Sequence, residues 1–207
     1  MSEQLMLQIN VRDELITMVA EDRRVSEELA ADGRLFEGYH PQMAEVHQRN
    51  GKRLGEIVDQ IGWPGKTLVG KGGAEAAWLI LQHDIANPKL QRHCLPLLRE
   101  AAAKGEIPAW QMAMLDDRIR VLEGTPQVYG TQFDWDENGE MSPCPIANPE
   151  QVEVLRQSVG LMSLEEDIRQ RRARILLSME KPPQDLEARH KEMEEWARSV
   201  GWRDPKI

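Results

Sequence analysis

The 207-residue chain predicts an all-α fold, an irregular helical bundle interrupted by one long loop carrying a short β-hairpin. Three observations support this. Apolar residues recur at three- and four-residue spacing through most of the chain, which is the period of an amphipathic helix. Proline and glycine fall at the boundaries of these periodic segments, where helices start and stop. Residues 124–149 have no helical period, and a connection of that length in a compact domain is usually functional or disordered.

Within the first 31 residues, Leu15, Met18, Val19, Val25 and Leu29 mark an amphipathic surface helix that Asp32-Gly33 should end. A second helix fits His40 to Ile61, with Pro41 in its first turn and a stripe of Met43, Val46, His47, Asn50, Leu54, Ile57, Val58 and Ile61. Gly62-Trp63-Pro64-Gly65 stops it. A third helix opens near Gly73 and places Ala76, Leu79, Ile80 and His83 on one face. Asn87-Pro88 breaks that helix and begins a fourth, in which Pro96 should produce a kink. Gly105 closes the fourth, and Pro108 starts a fifth bearing Met112, Leu115, Ile119 and Leu122. After the loop, residues 150–180 read as a charged helix interrupted at Gly160, and Pro182-Pro183 precedes a last helix over 184–200. The expected division is a helical domain over 1–180, with the pocket loop at 124–149, and an accessory C-terminal helix over 181–207.

In the loop, Tyr129, Phe133 and Trp135 supply apolar anchors, and Asn138-Gly139 signals a type I′ hairpin turn. An ordered loop of this kind would present Gln127, Tyr129, Thr131, Gln132 and Asp134.

A formal charge of −9 and an isoelectric point near 5.2 argue against binding to nucleic acid or anionic membranes, because no basic patch matches a phosphate backbone. The two cysteines, Cys94 and Cys144, have neither zinc-ligand spacing nor the makings of a disulfide framework, so a reducing cytoplasm is expected. No signal peptide or membrane span is apparent.

The candidate chemistry comes from polar side chains on apolar helix faces. His47 and Asn50 share a stripe with Met43 and Leu54, His40 lies seven residues before His47, and His83 ends the most apolar helix. Buried imidazoles need partners, so a polar pocket or a ligand is implied. Asp117 could orient a histidine and raise its basicity, while Arg118 could fork onto an anionic substrate group. Gly65-Lys66-Thr67 is not a phosphate-binding loop, since Gln60 stands where that motif needs glycine. Gly70-Lys71-Gly72-Gly73 is only a weak anion signal. His83-Asp84 matches metal phosphohydrolase signatures over two residues, too few to assign a site. His40, His47, His83 and Asp117 are metal-ligand types without a close-spaced pair, so no metal or other cofactor is assigned.

The strings GYHPQMAEVHQRN (38–50), GWP (62–64), AAWLILQHD (76–84), LDDR (115–118), GTPQVYGTQFDWD (124–136) and RQSVGL (156–161) make the chain resemble an uncharacterised bacterial family, a domain of unknown function, over about residues 33–165. That resemblance implies no activity, substrate or cofactor.

The expected function is a small-molecule enzyme, a hydrolase or lyase. His83 or His47 would be the general base, Asp117 its orienter and Arg118 an anion anchor. Gln127, Tyr129, Thr131, Gln132, His40 and Asn50 would contact substrate. The alternatives are a non-catalytic ligand-binding or immunity-type protein, in which the polar residues lock the loop, and a His/Asp metal-dependent enzyme.

Overall fold

The computed structural model describes residues 3–31 and 40–204. Among these are eight α-helices and a single two-stranded antiparallel sheet, so the all-α class with a hairpin insertion holds. The chain divides into two compact units, Met1–Ile107 and Pro108–Ile207. This boundary differs from the expected one near residue 180, and the C-terminal helix belongs to the second unit.

In the first unit, α1 (Glu3–Ala31) lies against α2 (Pro41–Ile61) and α3 (Lys66–His83), and α4 (Pro88–Ala103) follows. Val11, Leu15, Val19, Val25 and Leu29 of α1 are buried, and Val25 and Leu29 pack with Met43 and Val46 of α2. The expected stop at Asp32-Gly33 falls outside the described residues, as do Gly38 and Tyr39. His40 caps α2, its Nδ1 accepting from the Gln42 N–H at 3.2 Å, and Pro41 occupies the first turn, where its missing N–H costs nothing. Helix α3 begins at Lys66, seven residues before the expected start. Its first turn is held by Glu106, which accepts from the Thr67 N–H at 2.8 Å and the Thr67 hydroxyl at 2.6 Å. Gly70 then breaks the helical path with φ 68° and ψ 170° before the segment that leads to His83.

The second unit holds α5 (Ala109–Glu123), β1 (Phe133–Trp135), β2 (Met141–Pro143), α6 (Val152–Ser158), α7 (Leu164–Ser178) and α8 (Leu186–Ser199). Phe133 pairs with Pro143, Asp134 with Ser142 and Trp135 with Met141. The turn between the strands is not type I′, because Asn138 does not take the positive φ that this turn requires. Asp136 organises a longer turn instead, its carboxylate accepting from the N–H groups of Asn138 and Glu140 and from the Ser142 hydroxyl. The chain breaks between α6 and α7 at Gly160, as its sequence predicts. No described helix is long and apolar enough to cross a membrane.

Candidate functional site

The stripe on α1 runs Leu15, Met18, Asp22, Val25, Leu29 at alternating steps of three and four, so helix geometry puts Asp22 in the buried row. Asp22 is 4% exposed, and its Oδ2 is where two histidines meet. His83 Nδ1, at the end of α3, lies 2.8 Å from that oxygen, and His47 Nε2, on α2, lies 3.3 Å from it. The two rings are 5.1 Å apart and tilted by 46°. His47 and Asp22 are buried, whereas the side chain of His83 is 41% exposed.

Burial alone would raise the Asp22 carboxyl, but the adjacent His47 and His83 rings outweigh that and hold it well below the usual carboxylate range. Asp22 is therefore an acceptor only, and the proton in the His83 contact belongs to Nδ1. In the neutral ring this leaves Nε2 with an available lone pair. Among the described residues nothing hydrogen-bonds to His83 Nε2.

Neighbouring residues hold each corner in place. Asn50 Nδ2 donates to the Met18 carbonyl at 3.3 Å, tying α2 to the turn of α1 that precedes Asp22. Fully buried Gln91, on α4, donates to the carbonyls of Leu81 (2.9 Å) and Asp84 (3.2 Å), pinning the turn that carries His83. Asp84 is itself buried, and its Oδ2 accepts from Asn87 at 3.0 Å. Desolvation pushes its carboxyl above the ordinary range, against the opposing pull of Asn87 and His47. Asp84 reaches this place because residue 51, one turn after His47, is glycine. A Cβ there would sit 1.8 Å from Asp84 Oδ2 and 2.5 Å from its Cγ.

The carboxylate beside the histidines is Asp22, which no sequence motif singles out, and not Asp117. Asp117 lies in the second unit, and its carboxylate is spent on the loop. It accepts from the N–H groups of Val128 (2.7 Å), Tyr129 (3.0 Å) and Thr131 (2.9 Å) and from the Thr131 hydroxyl (2.9 Å). Gln127, fully buried, donates to the carbonyls of Gln132 and Cys144 and accepts from the Gln132 N–H, so both ends of its amide are engaged within the loop. The Gln132 amide donates to the Thr131 hydroxyl at 3.1 Å and to the Met114 carbonyl at 3.5 Å. Arg156, fully buried, donates to the carbonyls of Tyr129 and Gly130 and pairs with Asp167 at 2.9 Å. Gly130 takes φ 66°, and a Cβ there would meet Ile146 and Leu164 at 3.1 Å. The loop is thus a self-satisfied lock, further fixed by Arg171 stacked 4.1 Å over Phe133.

The remaining candidates divide in the same way. His40 is a helix cap and Asn50 an interhelix tie, so each of these polar groups is engaged in architecture. Arg118 is half-buried, and burial lowers it to about 10, which leaves the guanidinium charged at neutral pH. Burial likewise pushes Cys94 up to about 12 and Cys144 up to about 11, which disfavours the thiolate at both. A groove of about 690 Å³ in the second unit is lined by Trp135, Pro143, Leu186, His190, Met193 and Arg203 among others, but not by Gln127, Tyr129, Thr131 or Gln132.

Among the described residues, Asp22, His47 and His83 each offer a metal-ligand atom within 4.8 Å of the others. They combine a carboxylate held in its ionised form, a buried imidazole and an accessible imidazole, a set able to move a proton or to hold a cation.

Residues 9–177 match the model of a family of unknown function, DUF6624, and the chain belongs to that family. No curated protein and no solved structure matches it.

Proposed function

We propose that this chain is an enzyme of the hydrolase class acting on a small molecule, with His83 as the general base and Asp22 as its orienting carboxylate. The observation that carries the reading is the 2.8 Å contact between His83 Nδ1 and Asp22 Oδ2. A carboxylate on Nδ1 fixes the tautomer, keeps Nε2 free to accept a proton and stabilises the imidazolium that results. His83 is half-exposed, as a base that meets water and substrate must be, while Asp22 and His47 are shielded. Water placed on Nε2 would lose a proton to it as the oxygen attacks an electrophilic carbon or phosphorus. The imidazolium would return that proton to the leaving group. The acidic surface fits a small substrate better than a nucleic acid, and the free thiols fit a reducing cytoplasm.

The test is turnover of a panel of carboxylic ester, amide and phosphate ester substrates by the purified chain and by its His83→Asn and Asp22→Asn variants. One substrate class should be hydrolysed, with kcat/KM falling about 10²- to 10⁴-fold in His83→Asn. Absence of turnover across the panel, or turnover undiminished in His83→Asn, would refute the reading.

A further inference from the structure

We propose that Asp22, His47 and His83 form a binding site for one divalent transition-metal ion of the zinc or ferrous class. Zinc binds imidazole nitrogen and carboxylate oxygen at about 2.0–2.2 Å, which separates neighbouring ligand atoms by about 3.4 Å in a tetrahedron and about 2.9 Å in an octahedron. Asp22 Oδ2 already lies 2.8 Å from His83 Nδ1 and 3.3 Å from His47 Nε2. The remaining separation is within 4.8 Å, so a small closure of the two rings completes one triangular face.

The ligand types select the ion. Two imidazoles and one carboxylate suit zinc or ferrous iron, whereas magnesium and calcium favour all-oxygen sets. Three protein ligands leave at least one position open, the arrangement of catalytic rather than structural sites, and the His83 side chain is 41% exposed. The three ligands arise from three different helices, so the interhelix ties described above also set their spacing. Asn50 fixes the turn before Asp22, and Gln91 fixes the turn of His83. Such outer groups orient metal ligands. Gly51 admits Asp84 one turn from His47, adding a second carboxyl to the surroundings. On binding, the ion replaces the proton held between His83 Nδ1 and Asp22, and that proton passes to water.

This site does not depend on the acid–base reading, and the experiment separates the two. The untagged 207-residue protein, stripped with a chelator, is titrated with Co²⁺ while visible absorption is recorded, and Zn²⁺ is then added in competition. One equivalent of Co²⁺ should saturate a visible d–d band that Zn²⁺ abolishes. Asp22→Asn and His83→Gln should each weaken binding at least about a hundredfold. His83 is half-exposed, so the His83→Gln variant is expected to keep the fold, which circular dichroism checks. No saturable band, or binding undiminished in both variants, overturns the proposal. Chelator-stripped protein whose hydrolysis still depends on His83 would retain the acid–base reading without the metal. Specific metal binding with no turnover on the substrate panel would retain the metal site alone.

Discussion

Gly51→Ala sets helix propensity against packing, and the two predict opposite signs. In the interior of α2, alanine is favoured over glycine by roughly 0.5–1 kcal/mol. The new methyl would, however, fall 1.8 Å from Asp84 Oδ2, 2.5 Å from its Cγ and 2.9 Å from its Cβ, all closer than real contacts allow. Asp84 is 1% exposed and cannot swing aside cheaply. Overpacking costs about 1–3 kcal/mol, and losing the Asn87 hydrogen bond adds roughly 0.5–1.5 kcal/mol. The packing terms win, and the expected net loss is about 1–3 kcal/mol. Urea unfolding of wild type, Gly51→Ala, Asp84→Gly and the double variant measures it as a double-mutant cycle. With the Asp84 side chain removed, Gly51→Ala should become stabilising by about 1 kcal/mol. If Gly51→Ala stabilises the wild type, or has the same effect in both backgrounds, the close approach of α2 to Asp84 is wrong.

Asp117→Ala should cost about 3 kcal/mol or more, because it strips a buried acceptor from three backbone N–H groups and a hydroxyl. Limited proteolysis should then cut within 124–149, and a stable, uncut variant would argue against the lock. The Glu106 carboxyl is held below its usual range, chiefly by the Thr67 hydroxyl and then by the Thr67 N–H. A depressed carboxyl stabilises the fold above its unfolded value of about 4.3 and loses that contribution as pH falls through the folded value. The difference in Tm between wild type and Glu106→Gln should therefore shrink on acidification from pH 6 to 3. A constant difference contradicts the Glu106–Thr67 contact.

The helix order, the break at Gly160 and the position of the hairpin were legible because period and punctuation are local properties. The two histidines were legible as well, since imidazoles on the faces of Met43 to Leu54 and Ala76 to Ile80 stand out. Their partner was written in the sequence but harder to read. Asp22 occupies a buried position in the three-four register of α1, yet Glu21, Arg23 and Arg24 around it make the segment look like a solvated run. Residue type alone pairs Asp117 with a histidine, whereas its acceptors are matched by the backbone of a loop whose course no local pattern specifies. The turn at Asp136 failed for a related reason. Asn-Gly is a strong two-residue signal, but an aspartate side chain offering three acceptor contacts dictated a longer turn.

The central claim is that Asp22 fixes the proton of His83 on Nδ1, and long-range ¹⁵N–¹H correlation NMR of chelator-treated protein reads this directly. With the ring neutral, wild-type His83 should appear as a single tautomer protonated at Nδ1, and in Asp22→Asn the two nitrogens should move toward a mixture of tautomers. A wild-type His83 protonated at Nε2, or a pattern that Asp22→Asn leaves unchanged, would contradict the account.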